Sequence, residues 1–207
     1  MKILKYIGIA LVAIIALVLI TAAVVKKEYT IERSIVINKP KSEVFPFVNS
    51  LKNQNGYSYW SAQDPNMKIE YRGGNGDGTV GFTSAWNSET MGVGEQEIKS
   101  VTEGEKIDLE LRFKEPMEAT AQTFMATTDE SDNTTKVTWG MSSAMPYPFN
   151  IMLLFGMEKS LNDQIDYGLA NMKKQVEAMP SPTVVAENTT AVVSDSSAQA
   201  QAQTQAQ

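Results

Sequence analysis

The chain has 207 residues and contains neither histidine nor cysteine. Without them no Ser-His-Asp triad or Cys-His pair can be built. A CxxC redox couple and a thiolate or imidazole zinc site are excluded as well. No disulfide can form, so cysteine usage says nothing about the compartment. Any catalysis would fall to Asp, Glu, Lys, Arg, Tyr, Ser or Thr. Positive charge is also scarce: 18 Lys and Arg stand against 24 Asp and Glu, for a net charge of -6 and a pI near 4.8. That balance disfavours nucleic acid as a partner, since such a partner requires a basic footprint. Nothing in the residues calls for a cofactor or a metal ion.

What is present is unevenly distributed. Residues 6–25, from Tyr6 to Val25, carry no charge and have no polar stripe. The run has about the roughly 20 residues needed to cross a bilayer as a helix. Lys2 and Lys5 precede it, and Lys26 and Lys27 follow. A cleaved signal peptide is the rival reading, with Thr21-Ala22-Ala23 as its small-residue site. Against it, the run exceeds the ~7–15 apolar residues of such a leader. The lysines flank both ends and barely choose an orientation. The short N-terminal tail makes N-in, C-out the simpler insertion. The expectation is a single-pass membrane protein, anchored through residues 1–27, with its bulk outside the cytoplasm.

At the other end, residues 180–207 (PSPTVVAENTTAVVSDSSAQAQAQTQAQ) are poor in large apolar side chains and finish in an Ala-Gln repeat. Such a segment cannot bury enough surface to offset its ordering entropy, and a disordered tail is expected. Between anchor and tail, residues 28–179 have the size of one domain. Removing the four flanking lysines leaves 14 basic against 24 acidic residues after position 27, so the chain beyond the anchor is clearly acidic.

The middle part reads as one strand, a short helical stretch, six strands and a long helix. Tyr29–Ile37 is rich in β-branched residues. Asn38-Lys39-Pro40 ends it, and Lys41–Leu51 reads as helix, with Pro46 awkward inside it. Alternation then dominates. Met67, Ile69 and Tyr71 oppose Lys68, Glu70 and Arg72. Val80, Phe82, Ser84 and Trp86 share a face, as do Gln96 and Ile98 against Glu95, Glu97 and Lys99. Ile107, Leu109, Leu111 and Phe113 oppose Asp108, Glu110, Arg112 and Lys114. Met117–Thr128 is a further strand, and Val137, Trp139 and Met141 close the series. An apolar and a polar face on strand after strand describe an antiparallel sheet covered on one side. The cover is the helix predicted over Glu158–Met179, whose Leu161, Ile165, Leu169, Met172 and Val176 form one stripe.

This α+β pattern, a curved sheet wrapped around a long C-terminal helix, resembles the helix-grip superfamily of START domains, Bet v 1-type proteins and polyketide cyclases (SRPBCC). More closely, it looks like the membrane-anchored, polyketide-cyclase-like bacterial subgroup. The resemblance rests on Ser34–Pro40 with Val44-Phe45, on Trp60 with Asp64-Pro65, and on Tyr71-Arg72-Gly73. It continues through Gly78–Gly81 with Trp86, Gly92–Gly94 with Ile98, and Leu111-Arg112-Phe113 with Pro116. Thr135–Trp139 and Gly168-Leu169 with Met172-Lys173 complete it. It implies an elongated apolar cavity between sheet and helix, and no single activity, because one fold hosts many functions.

Several motifs invite sharper readings. Gly76-Asp77-Gly78-Thr79-Val80-Gly81 matches GxGxxG, but strand residues follow it where a dinucleotide site needs a helix, so it reads as a hairpin turn. Asn75 and Asp77 lack the register of a calcium loop. Glu95 and Glu97 point away from the apolar face and read as solvated. Asp64 beside Tyr57, Tyr59 and Trp60 could be a raised-pKa acid or simply a turn opener.

The expected function is a membrane-tethered binding module for a hydrophobic or amphipathic small molecule or lipid. Its cavity is predicted to be lined by Trp60, Phe82, Trp86, Gln96, Ile98, Leu109, Leu111, Phe113, Trp139, Met141, Leu161 and Ile165, with no catalytic residue. The methionines, Met141, Met152, Met157 and Met172 among them, suit an adaptable lining. The apolar stretch Met145–Met157 is predicted to form part of the cavity rim or to touch the membrane surface. A cyclase or dehydratase on the same scaffold is the alternative and requires ionisable groups turned inward. An envelope module that binds another protein is the third reading.

Overall fold

The computed structural model of the chain describes residues 2–180. Of the expected tail it includes only Pro180; the remainder lies outside the described residues. The first element is helix α1 (Lys2–Val24), whose residues are exposed up to Ile20. It is long and apolar enough to cross a membrane by length and composition. Strand β1 (Glu28–Ile37) follows, then three short helices, α2 (Lys41–Val48), α3 (Leu51–Tyr57) and α4 (Tyr59–Gln63). Six strands come next: β2 (Lys68–Arg72), β3 (Thr83–Ser88), β4 (Gly92–Thr102), β5 (Lys106–Glu115), β6 (Ala119–Ser131) and β7 (Thr134–Ala144). A 3-10 helix (Phe149–Phe155) leads into helix α5 (Met157–Ala178).

The helix expected over 41–51 is thus shorter and has a second helix behind it. Ser50 interrupts the two with extended backbone and caps α3, its side chain accepting from the Asn53 amide. A second cap comes from far along the chain. Asp77 accepts from the Leu51 amide at 2.9 Å, from the Lys52 amide at 3.4 Å and from the Ser50 hydroxyl at 2.6 Å. The GxGxxG loop is therefore a structural turn that docks Asp77 on the start of α3.

The strands form one antiparallel sheet in the order β1-β7-β6-β5-β4-β3-β2. Register shifts at Val93/Gly94, Ile98/Ser100 and Asp129/Ser131 mark irregularities of the kind that bend strands. Helix α5 packs along β1 and also touches α3 and α4. Its buried residues are Ile165, Gly168, Leu169, Met172 and Val176, the expected stripe displaced toward its C-terminal half. Gly168 permits the close approach: a Cβ there would sit 3.0 Å from the Trp139 ring.

Pairing sets the side chains in rows across the sheet. One row runs Trp86, Gly94, Phe113, Ala119. The next runs Ser84, Gln96, Leu111, Ala121, Ser143, Tyr29, and a third runs Ile98, Leu109, Thr123, Met141, Ile31. The first rows lie at the end of the sheet where β1 begins, next to the end of α1. Beyond the third row the inward side is filled. Ile37, Val44, Phe45, Ile107, Met125, Val137, Leu169 and Met172 are buried there in one apolar cluster.

The outer face is not simply solvated. Glu95 is only 7% exposed, covered by Arg72 (2.6 Å), Arg112 (2.8 Å) and Lys114 (2.6 Å). Arg112 also holds Glu97 at 2.7 Å and pairs with Glu110. These partners, Lys114 foremost, lower the Glu95 carboxyl from 4.5 to about 2 against the opposing effect of burial. Glu97 and Glu110 are lowered too, mainly by Arg112, whose own guanidinium is raised.

Candidate ligand-binding cavity

The packing is complete at one end of the sheet and incomplete at the other. A cavity of about 430 Å³ remains between the first two rows, helix α4 and the start of α5. That volume falls within the ~300–1,000 Å³ usual for small-molecule sites. An aromatic cluster adjoins it. Trp139 meets Trp60 edge to face at 5.9 Å and Tyr57 at 6.2 Å, and Tyr57 stacks on Phe47 at 5.9 Å. Trp139 and Trp60 face the cavity, while Tyr57 is buried in the core behind them.

Of the twelve residues expected in the lining, eight face the cavity: Trp60, Trp86, Gln96, Leu111, Phe113, Trp139, Met141 and Leu161. The other four do not. Phe82, Ile98, Leu109 and Ile165 are buried in solid core. Ile98 and Leu109 share the third row with Thr123 and Met141, but only the latter two reach the cavity. Ile165 lies one turn beyond Leu161, on the part of α5 that the apolar cluster embeds. Strand alternation and helical spacing show which face a residue takes, but not where along the sheet the packing opens.

The lining also includes residues outside that set. Met67, Met91, Met117, Met145 and Met157 join Met141, so six of the 11 methionines surround the space. Flexible thioethers can follow guests of different outline. Polar side chains enter from α3 (Gln54, Asn55), from the junction before α4 (Ser58), from α4 (Ser61) and from the strands (Thr123, Ser143). Asn55 is occupied, donating to Ser84 Oγ at 2.8 Å and to Tyr71 Oη at 3.1 Å. Thr123 is 5% exposed, and its Oγ1 is buried without a hydrogen-bond partner. Short-range pattern could have flagged Thr123, which alternates in phase with Ala121 and Met125.

Two ionisable side chains, Tyr29 and Glu115, are among the lining residues. Glu115 sits with Pro116 and Met117 on the exposed rim at the β5–β6 turn. Burial raises the Tyr29 phenol above its ordinary value, and Ser143 partly offsets this. Tyr29 therefore stays neutral near pH 7. Asp64 lies outside the cavity and is fully engaged: it accepts from Ser88 Oγ at 2.6 Å and from the Asn66 amide at 2.9 Å, as a turn opener does. Tyr71 stacks on Phe82 at 5.9 Å near the sheet edge and does not line the cavity.

Trp86 owes its position to a glycine across the ladder. A Cβ on Gly94 would fall 2.2 Å from the Trp86 ring and 2.8 Å from the Arg112 carbonyl, so only glycine admits the indole there. Trp86 and Phe113 then meet edge to face at 6.0 Å in the row nearest the sheet end.

This architecture defines a class of fold. It is the helix-grip fold of START and Bet v 1-type proteins, with its cavity between the sheet and the last helix. Among solved structures, the chain is similar to truncated norcoclaurine synthase from Thalictrum flavum, with a TM-score of 0.56 and 10% identity, covering 76% of this chain and 98% of that one. The same enzyme in complex with dopamine and hydroxybenzaldehyde gives 0.55 and 11%, over 79% and 94%. A Nitrosospira multiformis protein from structural genomics gives 0.52 and 16%, over 72% and 97%. At these identities the likeness concerns the fold. No family model and no curated protein matches the chain.

Proposed function

We propose that this protein is a membrane-tethered binding module that holds a hydrophobic or amphipathic small molecule between sheet and helix. The observation that carries the reading is the lining: aromatic rings and methionines around about 430 Å³, with one unpartnered buried hydroxyl, Thr123 Oγ1. An unsatisfied buried polar group costs about 1–3 kcal/mol, so a guest that offers it a hydrogen bond gains affinity and orientation. The neighbouring norcoclaurine synthase structure, which holds two small aromatic molecules, supports a ligand-holding use of the fold. The tether is α1. Asn150, fully buried, donates to the Ala22 and Val25 carbonyls at 2.7 and 3.0 Å. Cleavage after Ala23 would detach one of these partners, which favours an anchor over a removed leader.

The cyclase or dehydratase reading is weaker. It needs an acid and a base facing each other in the cavity, and the ionisable lining consists of a neutral phenol and a rim carboxylate. The binding reading is tested by photolabelling the full chain in nanodiscs with a diazirine-bearing palmitate. Label on peptides containing Leu111, Trp139 and Met141 is the expected outcome. Label confined to α1 would contradict it.

A further inference from the structure

Within the stretch Tyr147–Met157 only Asn150 is buried. It contains no charged residue, yet it turns large apolar side chains outward: Phe149, Met152, Leu154 at 58% exposed and Phe155 at 80%. A short helix covered with exposed Phe, Leu and Met is an unstable arrangement in water. Its position accounts for it. The apolar run 6–25 has a helical length of about 30 Å, which matches the hydrocarbon core of a bilayer. The last turn of α1 therefore lies at the boundary between acyl chains and headgroups. The 3-10 helix is fixed to that turn. Asn150 occupies the Ala22 and Val25 carbonyls, which a helix end otherwise leaves without donors, and Ala22 is the buried residue of α1. The Met145 amide adds a bond to the Lys27 carbonyl at 2.8 Å. Lys26 reaches Glu158 at 2.6 Å on the far side of the junction, at the level where charged groups meet headgroups. The outward apolar side chains of the 3-10 helix are thus held at the depth where acyl chains begin.

A second feature adjoins this surface. A groove of about 330 Å³ runs between the 3-10 helix and α5, lined by Met152, Phe155, Gly156, Met157, Ser160, Leu161 and Gln164. Met157 and Leu161 line both this groove and the large cavity. These two flexible apolar side chains are shared by the membrane-side groove and the interior. The exposed rim residues Glu115–Met117 and Ala144 lie at the same end of the sheet as the end of α1.

We infer that the 3-10 helix docks in the interfacial zone of the bilayer, and that lipophilic molecules pass between membrane and cavity through this groove, past Met157 and Leu161. This deepens the binding reading and rests on it, and on α1 crossing a bilayer. The occupant of the patch is the bilayer itself, argued from the continuity of the patch with α1 and from the absence of charge along 145–157.

Two measurements on the full chain in phosphatidylcholine–phosphatidylglycerol nanodiscs test it. The chain lacks cysteine, so Phe155→Cys and a control on the outer sheet face, Lys99→Cys, each take one nitroxide label. The label at 155 is expected to be shielded from a water-soluble paramagnetic relaxant and accessible to oxygen, and the label at 99 the reverse. Equal aqueous exposure at both sites would overturn the docking. For the passage, Met152→Glu and Phe155→Glu alter the groove without touching the cavity lining. Photolabelling by diazirine palmitate delivered from the bilayer should slow by about tenfold in these variants. Labelling with the probe delivered in detergent micelles should keep the wild-type rate. Unchanged rates from the bilayer would overturn the passage. A wild-type cavity that takes no probe from either source would overturn the binding reading and the passage with it, while the nitroxide result would still decide the docking.

Discussion

Thr123 is where the account is most exposed to test at the scale of one residue. Its hydroxyl is buried, faces the cavity and has no partner. Replacing it by valine keeps the shape and removes an unsatisfied group. Thr123→Val is therefore expected to leave the ligand-free protein as stable as the wild type, or more stable by about 1 kcal/mol. Denaturant unfolding would measure this. The same variant should bind a hydroxyl- or carboxyl-bearing guest more weakly. A clear destabilisation would mean that the hydroxyl has a structural partner. Glu95 tests the other face of the sheet. Its carboxyl titrates at about 2 in the fold against an ordinary 4.5. The ionised form is thus favoured by folding, and its contribution is complete above pH ~4.5 and fades as pH falls toward 2. Melting temperature should fall across that window, and Glu95→Gln should flatten the fall while lowering stability at neutral pH.

At the scale of elements, the hairpin that looked like a nucleotide loop is a clasp. Asp77 satisfies the first amides of α3 from 26 residues away in sequence. Asp77→Ala should cost about 1–2 kcal/mol in denaturant unfolding, as loss of a helix cap does. Unchanged stability would show that Ser50 alone suffices as cap. Strand and helix identities were legible in the sequence because period 2 and period 3.6 leave unmistakable traces in Ile107–Phe113 and in Leu161–Val176. The interruption at Ser50 was not, because its second partner, Asp77, is remote. The 3-10 helix was read as an apolar stretch without its geometry, since seven residues carry too little periodicity to name a helix type. The same limit governs the site. Inward direction was legible for Trp86, Leu111 and Trp139. The boundary between filled core and open space was not, and so Phe82, Ile98, Leu109 and Ile165 were expected in the lining although they are packed. Gln54 and Ser58 were overlooked because polar residues do not announce burial, and Thr123 was overlooked although its alternation with Ala121 and Met125 points it inward.

At the scale of the molecule, the features converge on one end of the sheet. The aromatic cluster of Trp60, Trp139 and Tyr57 marks the cavity's inner side, and methionines surround the space beyond it. Helix α1 joins at that same end through Asn150, and the apolar face of the 3-10 helix lies beside it. The most direct measurement is native mass spectrometry of the full chain released from nanodiscs, compared with Leu111→Trp, in which an indole occupies the space. The account predicts a stoichiometric small-molecule adduct on the wild type and its loss in the folded variant. A wild-type chain without adduct, even after incubation with diazirine palmitate, or an adduct that persists unchanged in Leu111→Trp, would contradict it.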